Sequence, residues 1–196
     1  MTLTELREKS MTCSKCALCP SRTNLVFGTG DEHAELVFVG EAPGFHEDQQ
    51  GIPFVGAAGK LLTQLLNSIG FQRDQVYITN ILKCRPPNNR DPLPEEIEVC
   101  KPLLQKQLEI INPKIVATLG AHATRVMLKK NISISAVHGQ QYEVDGFYVF
   151  PIFHPAAALY NRTNLSGLQE DFQKLKEILK EKRPEPKVVF NQDSLF

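Results

Sequence analysis

The sequence predicts an α/β fold, a three-layer α/β/α sandwich with a mostly parallel central sheet. Short apolar runs alternate with stretches of helical periodicity along most of the chain, and strands alternating with helices pack as a sheet between two helical layers. The 196 residues, 42% apolar and 22% charged, suit one soluble α/β domain with short extensions. No apolar run reaches the roughly 20 residues of a membrane span.

Residues 3–9 predict a short polar helix leading into "CSKCALC". The run "ELVFVG" (35–40) reads as the first buried strand. It is followed by "GEAPGFHEDQQGIPF" (40–54), a loop with two prolines and three glycines. Apolar positions 58, 61, 62, 65, 66 and 69 keep helical spacing, with Gly70 as a stop. "QVYITNI" (75–81) is the second strand, and the four prolines of "CRPPNNRDPLP" (84–94) make a loop. Pro94 followed by Glu95 and Glu96 starts a helix running to about Ile111. "KIVATLG" (114–120) is a third strand, and 121–128 a short helix. "QQYEVDGFYVFPIF" reads as two strands around the turn signal Asp145-Gly146. Apolar positions 168, 172, 175, 178 and 179 predict an amphipathic helix over 166–182. Residues 1–182 are expected to form one domain, and 183–196, with two prolines and no helical pattern, a disordered tail.

Twenty-two basic and 22 acidic side chains balance, which excludes a protein that coats nucleic acid through bulk charge but not one with a local basic groove. The N-terminus "MTLTELREKS" has charges where a signal peptide is apolar, so the protein is expected in the cytoplasm. Five cysteines without a secretory signal point to metal or free thiols rather than disulfides.

In open α/β sheets, ligands bind beyond the carboxyl ends of the strands. The 40–54 loop, Asn80 and "FHP" (153–155) all fall at such ends, as does "AHA" after Gly120. They predict a pocket containing Glu41, Glu47, Phe54, Asn80 and His154. Phosphate-loop, nucleophile-elbow and zinc-protease motifs are absent from the sequence. An aromatic face, an amide and a histidine suit a planar hydrogen-bonding ligand such as a nucleobase. The Asn80 amide presents a donor and an acceptor side by side, matching O4 and N3–H of a pyrimidine. "CSKC" at 13–16, with Cys84 and Cys100, supplies four thiols. A zinc ribbon would carry a second C-x₂-C in the later pair, and four thiolates also hold a 4Fe–4S cluster. Cys16 and Cys19 form an overlapping C-x₂-C.

"GEAPGFHEDQQGIPFVGAAGKLL", "VYITNILKCRPPNNR" and "FHP" together resemble the family 4 uracil-DNA glycosylases, the iron–sulfur branch of that superfamily, over roughly residues 13–180. The resemblance implies a monofunctional enzyme that hydrolyses the N-glycosidic bond of deoxyuridine in DNA and leaves an abasic site for base excision repair. It implies that Phe54 stacks on the flipped uracil, that Asn80 reads its Watson–Crick edge, and that His154 stabilises O2. Gly40, Glu41 and Ala42 would line the pocket with backbone groups, and Glu47 would sit near C5 and exclude thymine's methyl. Ala42 stands where family 1 enzymes carry a water-positioning aspartate, which leaves Glu41 as the candidate for that role. The family's spacing to Arg22-Thr23 selects Cys13, Cys16, Cys84 and Cys100 as 4Fe–4S ligands and leaves Cys19 spare.

"PAAALYNR" (155–162) occupies the place of the family's minor-groove loop. Leu159 or Tyr160 is expected to fill the space left by the flipped base. Arg162, Lys83, Arg85 and Arg90 are candidate phosphate contacts. The C-terminal "QDSLF" resembles the bacterial sliding-clamp-binding motif, with Gln192, Leu195 and Phe196 as its contacts. The protein is expected to act as a monomer. The alternative is a non-catalytic iron–sulfur DNA-binding module of the same fold. A related branch that is trapped covalently on uracil-DNA carries a basic insertion after its Asn motif, and "KCRPPNNRDP" has none.

Overall fold

A computed structural model describes residues 1–180. Six strands form one sheet in the order β1-β3-β2-β4-β6-β5: β1 (Thr29–Gly30), β2 (Leu36–Gly40), β3 (Tyr77–Asn80), β4 (Ile115–Leu119), β5 (Tyr142–Val144) and β6 (Phe147–Ile152). The inner four are parallel, with Phe38 opposite Ile78 and Ala117, and Ala117 opposite Phe150. The edge strands β1 and β5 run antiparallel to their neighbours. The β5–β6 hairpin turns at Asp145 (φ 51°) and Gly146 (φ 80°), the pair of positive φ angles that a two-residue type I′ turn needs.

Alternation along β2 builds two cores. Phe38 faces a cluster with Leu62 and Leu66 of α3 (Ala57–Ser68) and Phe172 of α8 (Arg162–Lys180). The Phe38 and Phe172 rings stack at 5.8 Å. Val37 and Val39 face the opposite cluster, with Leu3 and Leu6 of α1 (Leu3–Met11), Leu104 and Leu108 of α4 (Pro94–Ile111), and Ala123 of α5 (Gly120–Leu128). Successive strand side chains point to opposite faces, so one strand supplies both cores and the sheet becomes the middle layer of three. No helix among the described residues is long and apolar enough to cross a membrane.

The local starts and stops have visible causes. The Thr2 side chain accepts the N–H of Glu5 while the Glu5 carboxylate accepts the N–H of Thr2, a capping box that opens α1. Pro94 with Glu95 and Glu96 opens α4.

Several segments differ from the expectation, among them the edge strand β1, which no sequence signal predicted. The 40–54 loop contains a short helix, α2 (Phe45–Gln50), starting after Gly44 with Glu47 and Asp48 in its first turn. Short helices α6 (Ile134–Val137) and α7 (Pro155–Ala158) also form. The last helix begins at Arg162, four residues before the predicted start, so the 155–162 stretch is not one open loop. Asn161 is the reason: its side-chain oxygen accepts the N–H groups of Thr163 and Asn164, as a helix N-cap does. The predicted boundary at 182/183, the tail and the clamp-like motif Gln192–Phe196 lie outside the described residues.

Candidate active site

The carboxyl ends of β2, β3 and β6 open on one cavity of about 450 Å³. Its walls include Glu41, Ala42, Glu47, Phe54, Asn80 and His154. All five predicted pocket side chains are therefore brought together, from segments up to 113 residues apart.

Gly40 closes β2 directly beneath two of them. A Cβ there would stand 2.3 Å from Asn80 Oδ1 and 2.6 Å from the Phe54 ring, so only glycine lets both side chains settle. The loop beyond stays tied to the neighbouring chain: Ile81 N–H donates to the Gly40 carbonyl at 2.9 Å, and Leu82 N–H to that of Glu41 at 3.0 Å. Phe54 adopts φ 53°, a conformation uncommon outside glycine. Its backbone is pressed onto Gly59, where a Cβ would stand 1.8 Å from the Phe54 carbonyl oxygen. Arg73 donates to the carbonyl of the preceding Pro53. The Glu47 carboxylate accepts the N–H groups of Val55 (2.9 Å) and Gly56 (3.0 Å). Glu47 thus lines the pocket and also anchors the turn that presents Phe54.

Asn80 is 1% exposed, and its Oδ1 is buried without a hydrogen-bond partner. Leaving such an acceptor unmatched costs about 1–3 kcal/mol. An unmatched acceptor in a cavity wall is poised for a donor on a ligand.

His154 lies 5.8 Å from Phe54, centroid to centroid. Its Nδ1 accepts the N–H of Ala156 at 3.1 Å, which leaves the ring proton on Nε2. Burial pushes its pKa down to about 4, so the ring is neutral at pH 7. Gly120, at φ 88°, packs against it, where a Cβ would meet the His154 Cβ at 2.9 Å.

Glu41 faces a histidine that the sequence reading did not assign. His122 Nδ1 is 4.0 Å from Glu41 Oε2, and His122 Nε2 is 3.7 Å from Asp91 Oδ2. Burial raises the Glu41 pKa first; His122 opposes the rise and Asp91 adds to it. The "AHA" after β4 was the available signal, but no spacing rule joins residues 41, 91 and 122.

The predicted DNA contacts divide. Leu159 and Tyr160 are exposed, Tyr160 at 93%, and Arg162 lies at the start of α8. Arg85 lies over the Phe45 ring. Arg90 lines the pocket and forms a bidentate pair with Glu96 at 2.9 and 2.6 Å. Lys83 is a correction: it is buried, and its ammonium donates to Thr79 Oγ1 and the Asn80 carbonyl, each at 2.6 Å. It cannot meet a phosphate from there. Burial draws its pKa down to about 7, with Cys100 opposing.

All five cysteines line a second cavity of about 500 Å³, on the α1–α4 side of the sheet. They are free thiols. Cys13, Cys16, Cys84 and Cys100 pack against the core there, and Cys19 is not part of that cluster. Arg22 donates to Cys84 Sγ at 3.4 Å and to the Cys13 carbonyl at 2.7 Å. Burial pushes the Cys84 thiol up to about 11 against the pull of Arg22, and burial also raises Cys100. Among the described residues, no three His, Cys, Asp or Glu side chains lie close enough to hold one metal ion. All five thiols line this one space instead, and four thiolates drawn from them are a donor set whose chemistry suits a cluster of several irons.

A cavity at strand ends, walled by an aromatic ring, an unpaired amide oxygen and a neutral histidine, defines a protein that binds a planar heterocycle. The family model for the uracil DNA glycosylase superfamily matches residues 27–183. A type-4 uracil-DNA glycosylase of Sulfurisphaera tokodaii is 50% identical over 186 residues, covering 90% of this chain and 84% of the relative. That of Archaeoglobus fulgidus is 48% identical over 191 residues, covering 93% and 96%. That of Saccharolobus solfataricus is 52% identical over 179 residues, covering 87% and 83%. The chain belongs to the uracil-DNA glycosylase superfamily and, within it, to the type-4 branch.

Proposed function

We infer that this chain excises uracil from DNA, hydrolysing the bond between N1 of the base and C1′ of the deoxyribose. The observation that carries the reading is the buried, unpaired Asn80 Oδ1 in the same cavity wall as a neutral, Nε2-protonated His154. A uracil extruded from the stack offers N3–H to the Asn80 acceptor and O4 to its amide N–H. Phe54 supports the face of the ring. As the N1–C1′ bond breaks, its electron pair stays with the base, and negative charge gathers on O2. Nε2–H of His154 donates there, which stabilises the departing anion more than the bound substrate. Water adds to the cationic C1′. Glu41, kept less acidic by burial, accepts the proton from that water. Glu47 narrows the pocket near C5, where thymine would carry a methyl.

We also propose that Cys13, Cys16, Cys84 and Cys100 hold a 4Fe–4S cluster, which when bound ties the N-terminal segment to the 84–100 loop. Support comes from the shared cavity, the free thiols and the packing that sets Cys19 apart. Free thiols accord with a cytoplasmic site of action. Leu159 and Tyr160 are proposed to enter the gap left by the base, with Arg162 and Arg90 beside the backbone. Residues 1–182 are proposed as one catalytic domain acting as a monomer. The clamp-binding role of Gln192, Leu195 and Phe196 rests on the sequence motif.

The test is uracil release from a single-stranded oligonucleotide, read by alkaline cleavage, with His154→Ala alongside. Product from the iron-replete wild type and not from the variant supports the reading. DNA binding without product from either would favour a non-catalytic binding module.

A further inference from the structure

Phe45 is 51% exposed on the first turn of α2, next to Gly44 of the pocket wall. A single exposed ring is ordinary on a protein surface, but this one has been built upon. The guanidinium carbon of Arg85 lies 5.2 Å from its centroid, within reach of a cation–π attraction. Arg85 Nε donates to Asn89 Oδ1 at 2.6 Å, which fixes the plane of the guanidinium. Asn89 itself, at φ 53°, lines the uracil pocket together with Pro86. His46 stands edge-on to Phe45 at 5.5 Å. The loops after β2 and β3 thus meet at the rim in an aromatic and cationic pair that the excision step does not use.

We infer that Phe45 and Arg85 form a stacking subsite for the nucleobase adjacent to the extruded uracil in single-stranded DNA; this rests on the uracil-excision reading. Every base has a π-face, so the platform accepts any neighbour, and the cation adds attraction for a strand whose backbone is anionic. In a duplex the flanking base stays paired and stacked, and the platform has nothing to receive. The subsite therefore favours single-stranded substrate. Arg85 acts on a base through its ring stack, and not only on a phosphate as the sequence reading had it.

The experiment uses the full chain with its cluster and a single-stranded oligonucleotide carrying 2′-fluoro-2′-deoxyuridine, whose glycosidic bond resists hydrolysis. A 2-aminopurine is placed on the 5′ side in one probe and on the 3′ side in another. Affinity and fluorescence are measured for wild type, Phe45→Ala, Phe45→Leu and Phe45→Trp. Wild type and Phe45→Trp should bind alike and change the fluorescence of one of the two probes. Phe45→Ala and Phe45→Leu should lose that change and bind about tenfold more weakly, with affinity for the matching duplex nearly unaltered. Three results overturn the subsite: Phe45→Ala binding within twofold of wild type, a fluorescence change that survives it, or equal losses for single strand and duplex. If the wild type releases uracil from ordinary substrate, such a result counts against the platform alone; if it releases none, the excision reading fails with it.

Discussion

Nδ1 of His154 accepts the backbone N–H of Ala156 at 3.1 Å, and this one bond decides which ring nitrogen carries the proton. Protonating Nδ1 would set two hydrogens against each other at the start of α7, so the bond and the burial both oppose the imidazolium. His154→Ala should cut single-turnover uracil release about 10²–10³-fold, the usual loss for one donor to a developing anion. The depressed pKa also has a stability consequence. The unfolded chain binds the proton near pH 6.5 and the folded chain only near 4. The stabilisation is fully present above about 6.5 and drains away as pH falls toward 4. Urea unfolding across that range, compared with His154→Gln, should show the variant losing less stability on acidification.

Gly40→Ala tests the seating of the pocket. The added methyl would meet Asn80 Oδ1 and the Phe54 ring well inside contact distance. Uracil release should fall more than tenfold, and overpacking should cost about 1–3 kcal/mol. Thermal melting beside an activity assay separates the two effects. A Gly40→Ala protein with wild-type activity would contradict the geometry.

Glu41 and His122 make a pH prediction of definite sign. Burial holds the Glu41 carboxyl above its ordinary range, and the carboxylate is the form that can take a proton from water. Release should therefore decline on the acid side before His154 titrates. Glu41→Gln should lower the rate throughout and abolish that limb. His122→Ala removes the group that lowers the Glu41 pKa, so the limb should move to higher pH. Asp91→Asn removes a group that raises it and should move the limb to lower pH. A single-turnover pH profile for the four proteins reads all of this, and an unmoved limb in His122→Ala would remove His122 from the account.

The cysteines separate by substitution. Cys100→Ala should lower iron content and visible absorption and reduce the melting temperature. Cys19→Ala should leave all three near wild type. Iron loss in Cys19→Ala with retention in Cys13→Ala would transfer the ligand role to the Cys16–Cys19 pair.

Much of the architecture was legible because local rules governed it. The strand at 36–40, the helix opening at Pro94 and the Asp145-Gly146 turn follow from apolar runs, first-turn chemistry and positive-φ residues. The α2 helix was masked by the glycines and prolines on either side of it, and the early start of α8 depended on the Asn161 cap. Lys83 was misread as a surface charge because sequence gives a residue's type and not its depth. The thirteen other lysines offer no pattern that would have set it apart.

By itself the sequence determined the order of elements, the two-faced strands and the set of residues able to make a uracil pocket, since these depend on side-chain chemistry and short spacing. Tertiary structure alone decided the rest. It buried His154 and so kept the ring neutral, left Asn80 Oδ1 unpaired, brought His122 between Glu41 and Asp91, and laid Arg85 on Phe45. Each is a contact across long sequence separation or a consequence of burial, and the free energy of a charge or hydrogen bond is set by what surrounds it in space.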